Sequence, residues 1–122
     1  MALSLVVLCE LTATNIKRET LQIFEQWREN YHADGLLIVP SMLDFWNTAK
    51  KIRALKIAEE KDFRKLQRPP DDALRLQNDT LIAYTVGQTE NCYLVTSNVK
   101  DFERLQRVID FEFQSSDKFF GL

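Results

Sequence analysis

Two aspartates in the last third of the chain stand next to patterns that predict the carboxyl edge of an α/β sheet. Asp79 follows a capping residue at the predicted start of a helix, and Asp101 follows an apolar run, read as a strand over 92–95, that ends in Thr96, Ser97 and Asn98. In parallel α/β sheets, ligands gather at the carboxyl ends of the strands. We therefore expect Thr96, Asn98 and Asp101 at the carboxyl edge of the sheet and Asp79 at the start of the preceding helix, which places two carboxylates at one cleft. Carboxylates are hard oxygen ligands of the type that Mg²⁺ or Mn²⁺ prefers.

The same residues have ordinary structural interpretations, which the sequence leaves open. Asp79 behind Asn78 is also a first-turn acid that favours the helix macrodipole, and Asp101 is also a helix cap. No pattern places a base beside Thr96 or Ser97, so we expect these hydroxyls to orient a water or a phosphate rather than to act as nucleophiles. His32 is the only histidine and has no second ligand at metal-binding spacing, so we expect a surface residue.

The apolar periodicity predicts alternating helices and strands. Leu21, Phe24, Trp27 and Tyr31 recur at three and four residues, and Asp34-Gly35 supplies the turn that ends this helix. The apolar run over 3–11 fits a buried strand or a helix, and Ser4 as an N-cap favours the helix. The predicted helices cover about 3–11, 17–31, 41 onwards, 78 onwards and 100–106, and the predicted strands cover 36–39, 92–95 and 108–113.

The third predicted helix and the segment after it have different patterns. Ser41 and Asp44 have the spacing of a capping box, and an apolar stripe follows at Leu43, Trp46, Ile52 and Leu55. Residues 56–76 are charged and contain Pro69-Pro70, so we expect a mobile segment there, and residues 114–122 are expected to form a C-terminal tail. The alternation predicts one α/β domain over 1–122 with a small, mainly parallel sheet.

Composition limits the partners of this domain. The chain has 122 residues and a net charge of -2, so phosphate neutralisation by the whole surface does not explain nucleic-acid binding. Any such contact must be local or metal-assisted. Basic residues near 50–56 and 64–68 either flank an RNA groove or form a solvated face.

The predicted free thiols and the lack of a recognisable secretory signal lead us to expect a cytoplasmic protein. Cys9 and Cys92 each lie in an apolar run, which predicts buried free thiols rather than a disulfide. The apolar start lacks a preceding basic residue and is interrupted by Glu10, so it does not match a secretory signal. No run approaches the roughly 18 apolar residues that a membrane span requires.

The order of the motifs resembles the PIN domain family, to which the VapC toxins belong. The stretches D-T-L-I-A at 79–83 and T-S-N-V-K-D-F at 96–102 are similar to the C-terminal signature of that family. L-L-I-V-P-S at 36–41 resembles its middle strand, and S-L-V-V-L-C-E-L at 4–11 resembles the helix that carries its glutamate. The resemblance covers about 4–113 and implies a PIN-like three-layer α/β/α fold.

The resemblance implies a metal-dependent endoribonuclease of the VapC type. It assigns Glu10, Asp79 and Asp101 as catalytic residues and metal ligands, and Asn98 as a further metal ligand. It also implies Mg²⁺ or Mn²⁺ as cofactor, RNA as substrate, a cognate antitoxin as partner, and a homodimer.

One part of the family pattern is missing from the chain. PIN domains open with a central strand that ends in D-T-N or D-T-S, and no aspartate precedes Asp34 here. An alternative alignment places 3–6 on that strand, with Ser4 replacing the aspartate and Asp44 as the helical acid. Either alignment predicts a late start codon, a second chain that supplies the strand, or a degenerate domain. The alternative function is a catalytically silent PIN-like module that binds RNA or protein.

Overall fold

Helices far outweigh strands in the computed structural model, which describes residues 1–60 and 73–121. The predicted mixed α/β class is confirmed, and the strands form two separate two-stranded sheets, both parallel. The chain divides into two compact units, Met1–Ser41 and Met42–Leu122.

The first unit consists of two helices and one pair of short strands. Strand β1 (Leu3–Ser4) is followed directly by α1 (Leu5–Thr12), and α2 (Arg18–Ala33) leads to β2 (Leu37–Ile38). The strands pair in parallel, with Leu3 opposite Leu37 and Ser4 opposite Ile38. Helix α1 begins at Leu5 with Ser4 at the N-cap position, as predicted, although the Ser4 side chain makes no capping bond and Leu3–Ser4 also form β1. The strand predicted over 36–39 is shortened to two residues, with exposed side chains at both flanks.

Helix α2 confirms the periodicity argument. It spans Arg18–Ala33, close to the predicted 17–31, and its phenylalanine and tryptophan at positions 24 and 27 have ring centroids 5.3 Å apart. The chain leaves the helix through Gly35, whose φ of +69° is in the left-handed region that favours glycine. The predicted Asp34-Gly35 turn is therefore confirmed, and His32 near this end is exposed as expected.

The second unit is built around a central helix, α4. Its elements are α3 (Met42–Glu60), α4 (Ala73–Gln88), β3 (Leu94–Thr96), α5 (Val99–Leu105), β4 (Phe113–Ser115) and α6 (Ser116–Phe120). Helices α3 and α5 both pack against α4. Strands β3 and β4 pair in parallel with Leu94 opposite Phe113 and Thr96 opposite Ser115. The apolar core comprises Leu55, Leu76, Leu81, Ile82, Ala83, Val86, Phe102, Leu105, Ile109 and Phe111.

Helix α4 begins five residues earlier than the sequence analysis predicts. The prediction took Asn78 as the N-cap and Asp79 as a first-turn acid, but the helix starts at Ala73 and both residues lie inside it. Alanine, leucine, arginine and glutamine at 73–77 are strong helix formers, and this local propensity outweighs the capping tendency of asparagine. The proposed interaction of Asp79 with the helix macrodipole is therefore wrong, since that effect fades within the first turn.

The charged segment predicted over 56–76 is partly helical. Residues 56–60 complete α3 and residues 73–76 form the first turn of α4, so both described ends of this segment are helical. Pro69-Pro70 lies outside the described residues. The apolar stripe of α3 is also only partly buried, because Leu55 is enclosed whereas Leu43 and Trp46 are exposed.

The end of the chain and the two thiols differ from the predictions. Strand β4 lies at Phe113–Ser115 rather than 108–113, and α6 occupies part of the predicted tail. Ile109 and Phe111 are buried but do not belong to a strand. The apolar run over 108–113 therefore indicates burial and not strand pairing. Both cysteines are free as expected, but Cys9 is exposed and Cys92 is half-buried. Within the described ranges, no helix is long and apolar enough to cross a membrane.

Gly87 is expected to be required for the close contact between α4 and the segment before β4. A Cβ atom at this position would lie 2.4 Å from the carbonyl oxygen of Asp110. Glycine to alanine normally favours a helix, but here Gly87→Ala should lower the free energy of unfolding by about 1–3 kcal/mol, because backbone must shift. Urea unfolding measures this change. The control is Gln88→Ala at the exposed neighbouring position, whose free energy of unfolding should stay within about 0.5 kcal/mol of the parent. If Gly87→Ala changed the free energy of unfolding no more than Gln88→Ala does, or raised it, the close contact would be contradicted.

Candidate functional site

The carboxyl end of β3 brings together three of the candidate residues. Thr96 is the last residue of the strand, and its hydroxyl accepts a hydrogen bond from the backbone N–H of Asn98 at 3.0 Å. This bond closes the turn through exposed Ser97 and leads directly into α5. Asn98 occupies the N-cap position, and within the described residues its side chain makes no capping bond. The Thr96 hydroxyl therefore shapes the turn.

Asp101 lies in the first turn of α5 rather than at its N-cap, which is Asn98, and contacts a residue of α4. Its Oδ2 atom is 3.4 Å from Nη2 of Arg75. The two side chains are 46% and 60% exposed, so this ion pair contributes at most about 1 kcal/mol to stability. The ion pair is nevertheless informative, because it shows that the Asp101 carboxylate faces the N-terminal half of α4.

Asp79 follows Arg75 by one helical turn on α4. Residues four apart on a helix lie on one side, with Cβ atoms about 5–6 Å apart, so Asp79 and Arg75, the residue that Asp101 contacts, share one side of α4. Asp79 is only 9% exposed and is followed by Thr80, a fully enclosed residue whose hydroxyl donates to the carbonyl of Leu76 at 2.6 Å. The second unit thus places a nearly buried and a half-exposed carboxylate on packed, neighbouring helices.

Glu10, the third predicted acid, belongs to the first unit. It is half-buried in α1, one turn after the buried Val6. Helix α1 confirms the helical setting predicted for this glutamate.

The oxygen donors of the second unit fit a hard divalent cation in part. Mg²⁺ in proteins is commonly held through one or two carboxylates, with waters and substrate phosphate completing its shell. Asp79 and Asp101 supply that number, and the exposed Arg75 forms only a weak pair that a divalent ion can displace. Over residues 1–60 and 73–121, no group of three or more His, Cys, Asp or Glu side chains is arranged to hold a metal ion.

Two residues near this site were not identified from the sequence. Arg75 lies in the stretch that was expected to be mobile. Its spacing of four from Asp79 places the two residues on one side of a helix only if α4 begins as early as Ala73. Ser115 lies directly opposite Thr96 at the carboxyl end of the parallel pair, and its hydroxyl accepts from the backbone N–H of Lys118 at 3.1 Å. No motif marks this serine, because strand register depends on long-range pairing.

No family model, no curated protein and no solved structure matches the chain.

Proposed function

We propose that this chain is a PIN-type, Mg²⁺- or Mn²⁺-dependent endoribonuclease of the VapC toxin class. The observation that carries the proposal is the contact between Arg75 and Asp101 at 3.4 Å. It supports the proposal because it is a contact between the helix that contains D-T-L-I-A and the helix that follows T-S-N, the two halves of the motif resemblance. If the likeness of the two separate stretches were due to chance, the two helices would not be required to contact each other.

The parallel strands give the proposal further support. A PIN-like three-layer fold has a parallel sheet with helices on both faces, and both strand pairs of this chain are parallel. The carboxyl end of β3 carries the residues that the resemblance assigns to the site, as the rule for open α/β sheets requires.

Each candidate side chain has a separate role in the proposed reaction. Asp79 and Asp101 hold the cation, with Glu10 assigned as a third acid by the resemblance. Asn98 offers an amide oxygen beside them. Thr96 and Ser97 orient the phosphate or the attacking water, with Thr96 fixed through its bond to the Asn98 N–H. When bound, the divalent ion supplies charge stabilisation for a phosphodiester under attack by water.

The proposed partners follow from the same resemblance. The substrate is RNA in the cytoplasm, a cognate antitoxin inserts a segment near the site, and two copies form a dimer. A cation between the carboxylates and the RNA also offsets the repulsion that a chain of net charge -2 would exert on a phosphate backbone.

The alternative is a catalytically silent PIN-like module that binds RNA or protein. It is favoured by the lack of a three-acid group among the described residues. The two candidates differ in one property, because only the enzyme breaks phosphodiester bonds.

Removal of the metal separates the two candidates. Purified protein should cleave a structured RNA in the presence of Mn²⁺ or Mg²⁺, EDTA should abolish the cleavage, and Mn²⁺ added back in excess should restore it. Electrophoresis of end-labelled RNA measures the products. Cleavage that persists in EDTA would contradict metal dependence, and no cleavage by folded protein at any Mn²⁺ concentration would favour the silent module.

A further inference from the structure

A basic patch covers one side of α5 and the adjoining end of α3 in the second unit. The patch is defined by Lys56, Lys100, Arg104 and Arg107.

Helical spacing places the α5 members of the patch on one side. Lys100, Arg104 and Arg107 are separated by four and three residues, and the backbone N–H of Arg107 donates to the carbonyl of Arg104 at 3.3 Å, so the turn continues past the helix end. Phe102 and Leu105 are buried on the other side of α5. The three cations therefore point away from the apolar core.

A two-point ion pair fixes α5 to α3. Nε and Nη2 of Arg104 donate to the two carboxylate oxygens of Glu59 at 2.6 and 2.7 Å. The hydrogen bond from Arg104 is the main cause that lowers the pKa of Glu59, and the positive charges of Arg104, Arg107 and Lys56 lower it further. Several cations thus act on one carboxylate, and the pair holds Arg104 in a defined position.

The patch carries a local excess of positive charge. Its four cations are accompanied by Glu59 and by Glu103, which lies on the same side of α5, whereas the chain as a whole has a net charge of -2. Within residues 1–60 and 73–121, neither Lys56, Lys100 nor Arg107 forms an ion pair. A positive patch on an acidic chain is a local site for a polyanion, which composition alone does not reveal.

We infer that the basic patch binds the phosphate backbone of RNA and guides it to the carboxyl end of β3. Lys100 directly precedes Asp101 in the first turn of α5, so the basic patch begins within one residue of the candidate site. This inference deepens the proposed function, on which the choice of RNA as the polyanion rests. Binding through the patch needs no metal, because Lys and Arg contact phosphates directly.

Binding in EDTA tests the patch separately from catalysis. The probe is a fluorescein-labelled single-stranded RNA, titrated with protein between about 50 and 200 mM salt. The double variant Lys100→Ala/Arg107→Ala should weaken binding on the order of tenfold and reduce the salt slope by about 1.4, about 0.7 for each lost phosphate contact. Glu59→Gln, which removes a negative charge from the patch, should tighten binding.

The control is Lys17→Ala/Arg18→Ala, which removes the same two residue types from exposed positions at the start of α2. It should leave the affinity close to that of the parent. Equal losses in both double variants would overturn the inference, since net charge alone would then explain binding. Absence of RNA binding by the folded parent at low salt would also overturn it and leave a protein as the partner.

Failure of the patch and failure of the nuclease are distinguishable. If the parent cleaves RNA with Mn²⁺ and Lys100→Ala/Arg107→Ala binds RNA normally in EDTA, the patch inference is wrong and the enzyme stands. If the patch variant loses binding and the parent never cleaves, the patch stands and the silent module is the better description.

Discussion

Leu55→Ala is expected to lower the free energy of unfolding by about 2–5 kcal/mol, the largest stability effect we predict for this chain. Leu55 is 0% exposed in α3 and belongs to the core that surrounds α4. Truncation removes buried methyl groups and leaves a cavity that the packed helices cannot close. Because small domains are stable by only about 5–15 kcal/mol, this loss would populate the unfolded state measurably.

Leu43→Ala is the matched control for Leu55→Ala. It makes the same chemical change in the same helix, but Leu43 is 65% exposed. Its effect should stay within about 0.5 kcal/mol of the parent. Urea unfolding followed by circular dichroism measures both variants, and similar losses at the two positions would show that the apolar stripe of α3 is packed along its whole length.

Asp79→Asn is expected to reduce metal-dependent RNA cleavage by at least roughly 100-fold, because carboxylates around one cation act as a unit. Asparagine keeps the shape of the side chain and removes the charge that attracts the ion. Since Asp79 is nearly buried, thermal unfolding must be measured beside the activity. Asp101→Asn, at a half-exposed position, provides a second variant less prone to disturb folding, with a similar expected loss.

Asp110→Asn is the matched control for both aspartate variants. Asp110 is exposed and precedes the amino end of β4, whereas the candidate site lies beside the carboxyl end of β3, its parallel partner. Cleavage by Asp110→Asn should equal that of the parent. If a folded Asp79→Asn or Asp101→Asn protein retains full cleavage, the assignment of that aspartate is wrong.

Local patterns predicted the helices best. For α2, the apolar spacing of three and four residues predicted a helix, and the Asp34-Gly35 turn predicted where it ends. Both signals depend only on residues that are near in sequence. The start of α4 was wrong because Asn78 is a good cap and also tolerable inside a helix, and only the packing of α4 between α3 and α5 decides between the two.

Burial and strand pairing were harder to predict, because they depend on distant parts of the chain. The apolar run at 3–11 places Leu8 inside and Cys9 outside, since successive residues of a helix point about 100° apart. Strand β4 was shifted because Phe111 is buried without pairing. At the candidate site, the order Thr96, Asn98, Asp101 was predictable from a strand end, but the contribution of Arg75 from α4 required the tertiary structure.

The central claim is that Asp79 and Asp101 bind one divalent cation, and Mn²⁺ titration followed by electron paramagnetic resonance of the free ion tests it most directly. The parent should bind Mn²⁺, Asp110→Asn should bind it equally, and Asp79→Asn and Asp101→Asn should each weaken binding by on the order of tenfold or more. Equal Mn²⁺ binding by all four proteins, or none by the folded parent, would contradict a shared metal site at these two residues.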